Sequence, residues 1–382
     1  MELDEKIWNQ MLEVRRYLHR HPEISMQEYG TASYIERMLR PLGLRVEMVQ
    51  GIGVIATLHL DDEGPVVAVR AETDALPVQE ETGLSFASVC PGVMHACGHD
   101  AIAATAIGLI LYILKYQEEF HGTYRFLFEP GEEVGQGAKL LIDAGALENP
   151  VPDAMLIFHY ANEQEDGMEI QKGVSTAAVG GVTIRVKGRS CHFSQRQKGV
   201  DAVLAAGEVL SRIRHIQDTF DCGMPFVLGF GLIKGGRKAN IMADEAELQG
   251  SVRTFSDESF QRLYECLEAE LQEAAGKTGA EITLELNRRI PAFQNDSGLV
   301  EKGMRAGQRI YQEKALLGEN PFLVGDNASL YLSHVRGMRM VFFAGKKNEE
   351  HFPIHHGRFE LDEEGMKKPV LMLAELLREI QV

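Results

Sequence analysis

The sequence predicts an α/β fold in which a largely parallel-sheet domain is interrupted by a smaller, inserted α+β domain. A length of 382 residues exceeds what one compact core usually holds, so two domains are expected. In the first part of the chain, predicted strands alternate with helices, and several strands are apolar on both faces, as in a parallel sheet covered by helices. The order of elements changes near Gly181, and the alternating pattern returns after Pro291. The predicted boundaries are 1–180 and 291–382 for the main domain and 181–290 for the insertion.

The first part of the chain supplies most elements of the main domain. The first helix is predicted over 4–20, because one of its faces is apolar and Pro22 follows it. That apolar face comprises Ile7, Met11, Val14 and Leu18. The next predicted elements are a helix at 31–42, strands at 53–60 and 65–72, an apolar helix after Asp100, a strand at 123–129, a helix at 137–144 and a strand at 154–159.

The inserted segment shows the order strand, helix, strand, strand, helix, strand. Its strands are predicted at 181–188, 226–233, 246–254 and 280–287, and its helices at 201–217 and 256–275. This β-α-β-β-α-β order is that of a ferredoxin-like split unit. The main domain is then completed by a helix at 297–311, a strand at 338–345 and a helix at 369–380.

The net charge and the cysteines narrow the class of protein. The formal net charge of −17 argues against nucleic acid or an anionic membrane as the main partner, because phosphate binding needs clustered Lys and Arg. The N-terminal "MELDEKIW" lacks a secretory signal pattern, and the longest apolar run, at 101–114, is shorter than the roughly 20 residues that span a bilayer. Five cysteines, an odd number, indicate free thiols in a reducing compartment. We therefore expect a cytoplasmic protein.

Polar side chains collect where the predicted strands of the main domain end. In open parallel sheets, ligands bind beyond the carboxyl ends of the strands. The fold would therefore gather imidazoles, carboxylates and one thiol at a single edge of the sheet. These residues are Asp74, Cys97, His99, Glu132, Glu133, His159 and His355 or His356.

Each of these motifs alone also has a structural explanation. Cys97 could be a small buried apolar residue, and Glu132 and Glu133 could be a solvated pair at a helix start. A cysteine nucleophile paired with His99 is a further alternative, but it leaves both glutamates and His159 without a role. A metal site uses all of them, because imidazole, thiolate and carboxylate suit zinc and its first-row neighbours. One glutamate would then bind metal and the other would move a proton, whereas His95 receives no role.

Six segments carry a family resemblance over nearly the whole chain. They are "RRYLHRHPEISMQEYGT" at 15–31, "VRAETDALPVQEETGLSFAS" at 69–88, "GVMHACGHD" at 92–100, "FLFEPGEEVGQGAKLLIDAGAL" at 126–147, "GGRKANIMADEAELQGSVRTF" at 235–255 and "IHHGRF" at 354–359. In these segments the chain resembles the metal-dependent amidohydrolase branch of the aminoacylase and carboxypeptidase G superfamily. That branch includes hippurate hydrolases, N-acetyldiaminopimelate deacetylases and indoleacetyl-amino-acid hydrolases.

The resemblance implies two divalent metal ions per subunit, with Zn, Mn, Co or Ni as candidates. It implies that Cys97 bridges the ions as a thiolate and that Glu132 is the general base. The remaining implied metal ligands are His99, Glu133, His159 and His355. His355 is favoured over His351 and His356 because the family ligand is the first histidine of the pair in the last segment.

The resemblance also implies a role for the rest of the site. The metals would activate a water and polarise an amide carbonyl, while Asp74 would support a metal ligand. The inserted domain would be a lid and dimerisation domain whose His192, from a partner subunit, and Asn240 hold the oxyanion. Arg253 would pair with the substrate carboxylate, with a structural ion pair as its alternative role. The expected assembly is a homodimer or a larger homo-oligomer.

Several positions depart from the usual pattern of the branch. They are Glu72 and Thr73, Ile102, the segment 189–194 and the segment 325–328, in which Asn327 replaces the aspartate of the usual Gly-Glu-Asp-Phe element. None of these changes removes an expected ligand, so they bear on substrate identity more than on reaction type. The expected function is hydrolysis of N-acyl amino acids or related conjugates. The alternatives are a dipeptidase or carboxypeptidase of the same superfamily and a metal-containing binding protein with weakened catalysis, against which the retained Glu132 argues.

Overall fold

The structure is a computed structural model that describes residues 2–381, apart from the side chain of Arg288. The chain divides into two compact units. The first contains the residues up to Ser175, Gln294–Asn320 and the residues from Asn327 onward. The second contains Thr176–Phe293 and Pro321–Asp326.

The first unit is built around an eight-stranded sheet. In chain order its first elements are α1 Glu5–Arg20, α2 Tyr29–Leu39, β1 Arg45–Val49, β2 Gly53–His59, β3 Val66–Glu72, α3 His99–Lys115, β4 Thr123–Glu129, α4 Gly137–Asp143, β5 Ala154–Ala161 and β6 Gly167–Gln171. A short strand, β7, follows at Val174–Thr176.

The second unit follows with β8 Ala178–Lys187, α5 Ala202–Thr219, β9 Val227–Gly235, β10 Glu245–Thr254, α6 Asp257–Thr278 and β11 Glu281–Ile290. After the short strand β12 at Phe293–Gln294, the chain completes the first unit. The closing elements are α7 Ser297–Tyr311, β13 Ala315–Gly318, β14 Gly337–Phe343 and α8 Lys367–Gln381.

The large sheet has the strand order β1-β2-β4-β3-β5-β14-β6-β13. Its four central strands, β4, β3, β5 and β14, pair in parallel, and antiparallel pairs lie towards the edges. The prediction of a largely parallel sheet in an α/β fold is confirmed. Because β3 lies between β4 and β5, the segments that leave these three strands emerge side by side at one edge of the sheet.

Helix α3 forms the centre of the first unit's core. It is buried along nearly its whole length, and it packs against β3, α1 and α8. Gly108 allows α1 to approach closely, because a Cβ atom at that position would overlap the side chain of Met11. The apolar run at 101–114 is therefore a core helix. Among residues 2–381, the structure contains no helix with the length and apolar character that a bilayer crossing requires.

The second unit has the element order that the sequence predicts, β-α-β-β-α-β. Its four-stranded sheet is antiparallel and has the order β11-β8-β10-β9. Helices α5 and α6 pack on each other and on this sheet, around a core of its own. The predicted role of this segment as a lid and dimerisation domain stays a prediction.

Three strands of the large sheet lie outside the predicted elements. They are β1, β6 and β13, with five, five and four residues respectively. Strand β13 is short and partly exposed, so its sequence lacks the apolar run that marks a buried strand. Strand β6 follows an acidic turn at 163–166, and its partners, β13 and β14, lie far away in the sequence.

Candidate metal centre

The strand ends of the first unit bring together the predicted site residues of the main domain. Asp74 follows β3 by two residues, Glu132 and Glu133 follow β4, and His159 lies near the end of β5. The segment before α3 supplies Cys97, and His99 is the first residue of that helix. Since these parallel strands end at one edge of the sheet, side chains far apart in the sequence become neighbours.

Three groups of three side chains have the spacing of metal ligands. Ligand atoms of Cys97, His99 and His159 lie within 4.8 Å of one another, and so do those of Cys97, Glu133 and His355. These two groups share only Cys97. A third group of the same spacing comprises His99, Glu132 and Glu133.

The imidazoles of His99 and His159 are oriented by hydrogen bonds from their Nδ1 atoms. Nδ1 of His159 donates to the carbonyl of Tyr160 at 2.7 Å, and its Nε2 lies 3.5 Å from the Cys97 sulfur. Nδ1 of His99 donates to Asp74, with both the carbonyl and Oδ1 at 3.0 Å. In each ring, therefore, Nε2 is the nitrogen that would bind a metal ion.

Asp74 links the segments that carry the proposed ligands. Its Oδ1 accepts the hydrogen bond from His99, and its Oδ2 accepts the backbone N–H of Glu133 at 3.0 Å. The hydroxyl of Ser25 donates to the same Oδ2 at 2.7 Å. Burial acts to raise the pKa of Asp74. The hydrogen bond and the charge of His99 act in the opposite direction, and with the other hydrogen bonds they bring the pKa below its usual value. The side chain is therefore an anion that holds one proposed ligand and the backbone of another.

His355 is held in a left-handed backbone conformation beside Glu133. Its φ is 68°, and its N–H donates to the carbonyl of Ala96 at 2.8 Å. Non-glycine residues in this region cost about 1–2 kcal/mol, so the surrounding contacts must enforce the conformation. Its Nε2 lies 3.3 Å from Oε1 of Glu133; this contact raises the pKa of His355. Burial acts to raise the pKa of Glu133, but the contact with His355 and the charges of His99 and His355 together lower it below its usual value.

A metal centre fits this set of side chains. Nε2 of His99 is buried, and within residues 2–381 no hydrogen bond of ordinary geometry satisfies it. Burial raises the pKa of the Cys97 thiol to about 12, so its thiolate form requires a nearby cation. Imidazole lone pairs, a thiol and carboxylates converging at one place are the ligands of zinc and its first-row neighbours.

The other histidines near the site have different surroundings. Nδ1 of His356 accepts the backbone N–H of Arg358 at 3.0 Å, and Nε2 of His351 donates to the carbonyl of Lys346 at 2.8 Å. His95 is fully buried, and among the described residues neither of its ring nitrogens has a hydrogen-bond partner. Burial lowers the pKa of His95 to about 4, so the ring is neutral.

The second unit brings two of its three predicted site residues onto neighbouring loops. His192 forms an isolated antiparallel bridge with Ile241, the residue after Asn240, and the side chains of His192 and Asn240 are exposed. Nδ1 of His192 accepts the backbone N–H of Ser194 at 3.2 Å. The ring proton therefore lies on Nε2, which can act as a donor.

Arg253, the third predicted site residue of the second unit, lies on β10. Its guanidinium donates to the backbone carbonyl of Leu323 at 2.6 Å. A structural ion pair was its alternative role, yet in the described part of the chain no carboxylate pairs with it. Part of its hydrogen-bonding capacity thus remains for another acceptor.

A buried ion-pair network contains Glu72 and Asn327, two of the residues that depart from the branch pattern. Arg70 contacts Glu72 and also donates to Glu129, at 2.8 Å. Asn327 accepts from Arg70 at 2.6 Å and donates to Glu129 at 2.7 Å. Tyr331 donates to the same carboxylate at 2.9 Å. The network anchors the ends of β3 and β4, from which the site segments leave.

The sequence patterns assign no role to Ser25 and Glu28, which contact the site segments. Ser25 donates to Asp74, and Glu28 accepts the N–H of Gly131. Both lie in the segment at 15–31 that carries part of the family resemblance, which was the available signal. Their contacts are tertiary, so periodicity and spacing could not assign them.

The chain is similar to known proteins over most of its length. The model of peptidase family M20/M25/M40 matches residues 68–379. N-acetylcysteine deacetylase of Bacillus subtilis is 31% identical over 377 residues, covering 98% of this chain and 97% of the relative. Thermostable carboxypeptidase 1 of Saccharolobus solfataricus is 30% identical over 386 residues, covering 96% of each chain.

A solved structure shows the same architecture over the full length. The Bacillus subtilis YXEP protein, described as a dinuclear metal binding peptidase from the M20 family, superposes with a TM-score of 0.86 at 30% identity. The superposition covers 99% of each chain. Together these findings confirm the resemblance seen in the motifs, and the chain belongs to peptidase family M20/M25/M40, whose members hydrolyse C–N bonds.

Proposed function

We propose that this protein is a dinuclear metal-dependent amidohydrolase that removes the acyl group from N-acyl amino acids or related conjugates. The observation that carries the proposal is the pair of ligand groups that share Cys97, with Glu132 beside them. The relative from Bacillus subtilis that is named N-acetylcysteine deacetylase supports the substrate class.

In this proposal five side chains hold two divalent ions, with Zn, Mn, Co or Ni as candidates. Cys97, which is common to both ligand groups, and His99, Glu133, His159 and His355 would hold these ions. When bound, the ions supply Lewis-acid activation of a water and of the amide carbonyl. Asp74 orients His99 and fixes the backbone of Glu133.

Glu132 is the proposed general base. Its carboxylate lies within 4.8 Å of ligand atoms of His99 and Glu133, so it adjoins the ligands in space as well as in sequence. It takes the proton of the attacking water and then delivers it to the leaving amine. Ligation by Glu133 and proton transfer by Glu132 divide the work between adjacent carboxylates.

Residues of the second unit are proposed to act on the substrate. The Nε2–H of His192 suits a developing oxyanion, and Asn240 on the neighbouring loop supplies a second donor. Arg253 has guanidinium N–H groups beyond the one bound to Leu323, and these would pair with the substrate carboxylate.

We also propose that the protein is cytoplasmic and acts as a homodimer. All five cysteines are free, which supports a reducing compartment. Large apolar side chains are exposed on the second unit: Leu204 of α5 is 73% exposed and Ile233 of the edge strand β9 is 54% exposed. Exposed apolar side chains beside an edge strand are typical of a surface that another chain covers.

A carboxypeptidase or dipeptidase is the second candidate function. The relative from Saccharolobus solfataricus that is named thermostable carboxypeptidase 1 favours it. Both reactions cleave an amide bond next to an amino acid with a free carboxylate, so the metal centre alone does not separate them. They differ in the group on the nitrogen: an acyl group in one case and an aminoacyl group in the other.

Metal removal and reconstitution test the proposed function. The chelated protein should lose turnover of N-acetyl and N-benzoyl amino acids, and Zn, Mn, Co or Ni should restore it. Dipeptides assayed in parallel decide between the two candidates. Cys97→Ala should lose most of the bound metal, whereas Cys222→Ala, at a thiol of the second unit, should keep it. Full turnover by the metal-free protein would refute a metal-dependent mechanism.

A further inference from the structure

A buried carboxyl group holds the loop that carries Glu132 and Glu133. Glu28 is fully buried. Its Oε1 accepts the backbone N–H of Gly131 at 2.7 Å and that of Met26 at 2.9 Å. Its Oε2 is also buried and has no hydrogen-bond partner in the described part of the chain. A single side chain thus joins two segments that are about 100 residues apart in the sequence.

The loop at 130–137, whose Gly131 N–H bonds to Glu28, has a restricted conformation. Gly131 has a φ of 60°, and a Cβ atom there would overlap the side chain of Met26, so the position favours glycine. The carbonyl of Gly131 accepts the N–H of Gln136 at 3.1 Å, which closes the turn. The residue after Gly131 is Glu132, so the contact with Glu28 fixes the loop immediately before the proposed base.

The energetics of Glu28 argue against a purely stabilising role. In the described residues no Lys, Arg or His forms an ion pair with its carboxyl group. An acid buried without a cation costs stability whether it ionises or keeps its proton, and this cost offsets part of what its hydrogen bonds to two backbone N–H groups contribute. Such local conflicts in a fold are expected where function requires them.

We propose that Glu28 is a positioning residue, which holds the Gly131 amide and so sets the placement of Glu132 and Glu133. The inference rests on the function proposed above. Glu28 itself touches neither the proposed ligands nor the proposed base. Its effect on them passes through the backbone of the loop at 130–137.

Two substitutions separate positioning from packing. Glu28→Gln keeps an acceptor oxygen of the same reach, whereas Glu28→Met keeps the volume and removes the acceptor. Glu23→Met is the matched control, because the Glu23 carboxylate accepts backbone N–H groups of Gly30 at 3.0 Å and Thr31 at 2.7 Å, away from the site loop. All three variants are compared with the wild-type protein by thermal unfolding, Zn²⁺ affinity and, in saturating Zn²⁺, kcat and KM.

Glu28→Met should weaken Zn²⁺ binding or lower kcat by about 10- to 100-fold, the usual effect of removing the support of a metal ligand. Its KM should change little. Glu28→Gln should stay within about threefold of wild type in both properties, because its oxygen still accepts the two N–H groups. Glu23→Met should lose thermal stability but keep wild-type Zn²⁺ affinity and kcat. Wild-type affinity and kcat in Glu28→Met, or equal losses in Glu28→Met and Glu23→Met, would overturn the inference.

Two further measurements keep the inference testable if a variant or the proposed reaction fails. If Glu28→Met does not fold, the test becomes a measurement of hydrogen exchange at the Gly131 amide in the wild-type protein. That amide should be protected by at least about 100-fold, and unprotected exchange would overturn the inference. If the wild-type protein hydrolyses none of the N-acyl amino acids, the proposed function fails, while Zn²⁺ affinities of the variants still decide the role of Glu28.

Discussion

Asn327 stands where the branch pattern has an aspartate, and its contacts account for the difference. Its amide group donates to the carboxylate of Glu129 and accepts from the guanidinium of Arg70. The network already contains two carboxylates, Glu72 and Glu129, for one guanidinium. A third carboxylate would add like charge in a buried place, whereas an amide supplies both a donor and an acceptor.

Asn327→Asp should therefore destabilise the protein. Replacing the N–H donor by a carboxylate oxygen sets two acceptors 2.7 Å apart, and we expect the free energy of unfolding to fall by about 1–3 kcal/mol. Chemical denaturation at neutral pH measures the change. Asn320→Asp, at an exposed position of the same unit, should leave the free energy of unfolding unchanged. Equal stabilities of Asn327→Asp and wild type would contradict this account of the network.

Glu132 and Glu133 are adjacent, but substitution should affect them differently. Glu132→Gln removes the proposed base and keeps the proposed ligands, so the protein should retain its metals while kcat falls by roughly two to four orders of magnitude. Glu133→Gln should instead lose bound metal. Metal analysis by mass spectrometry, together with steady-state kinetics, distinguishes the two. Normal turnover by metal-loaded Glu132→Gln would show that another group moves the proton.

At the scale of elements, the sequence predicts well what local patterns encode. The apolar run at 101–114 predicts α3, which is buried along nearly its whole length. The runs at 65–72 and 123–129 predict β3 and β4, which are buried on both faces. Strands β6 and β13 escape prediction because their register depends on partners far away in the chain. The roles of Ser25 and Glu28 are not predicted for the same reason. Their contacts with Asp74 and Gly131 arise only in the folded protein.

The burial of Glu28 predicts how stability depends on pH. Burial raises the pKa of Glu28 from 4.5 to about 7, although its bonds to backbone N–H groups oppose the shift. Above pH 4.5 the unfolded chain releases this proton while the folded protein still holds it. The contribution of Glu28 to the free energy of unfolding is therefore fully present below pH 4.5 and is lost as pH rises through about 7.

Glu28→Gln should remove this dependence, because glutamine resembles the neutral carboxyl group at every pH. The free energy of unfolding of Glu28→Gln minus that of wild type should increase between pH 5 and pH 8 by on the order of 1–3 kcal/mol. Denaturant titrations of both proteins at pH 5, 6, 7 and 8 measure this difference, and Glu23→Gln serves as the control. A difference that does not change with pH would contradict a raised pKa in the folded protein.

For the whole molecule, the sequence predicts the kind of chemistry better than its target. Thiol, imidazole and carboxylate side chains at strand ends predict a metal site, because their types and the sheet edge together restrict the chemistry. The substrate depends on loop shapes, such as those at 189–194 and 325–328, where this chain departs from the branch. Patterns in one chain do not encode those shapes, nor do they encode contacts between subunits.

The proposed mechanism depends on how the chains assemble. His192 lies in the second unit and the proposed ligands in the first, and the family resemblance implies that His192 serves a partner's site. Its Nε2–H would stabilise the oxyanion, a contribution typically worth about 3 kcal/mol. A C2 dimer, the most common closed assembly, would contain two sites, each with residues from both chains.

Mixing two inactive variants tests whether the sites are shared between subunits. His192→Ala and Glu132→Gln homodimers should each be nearly inactive, because every site lacks one essential side chain. A mixed dimer contains one site in which Glu132 of one chain meets His192 of the other, so activity should reappear when subunits exchange. The recovered kcat per chain should approach about one quarter of the wild-type value at equal mixing, since about half of the dimers are mixed and half of their sites are intact. Exchange demonstrated by native mass spectrometry without recovered activity, or a fully active monomer, would exclude catalysis across the dimer.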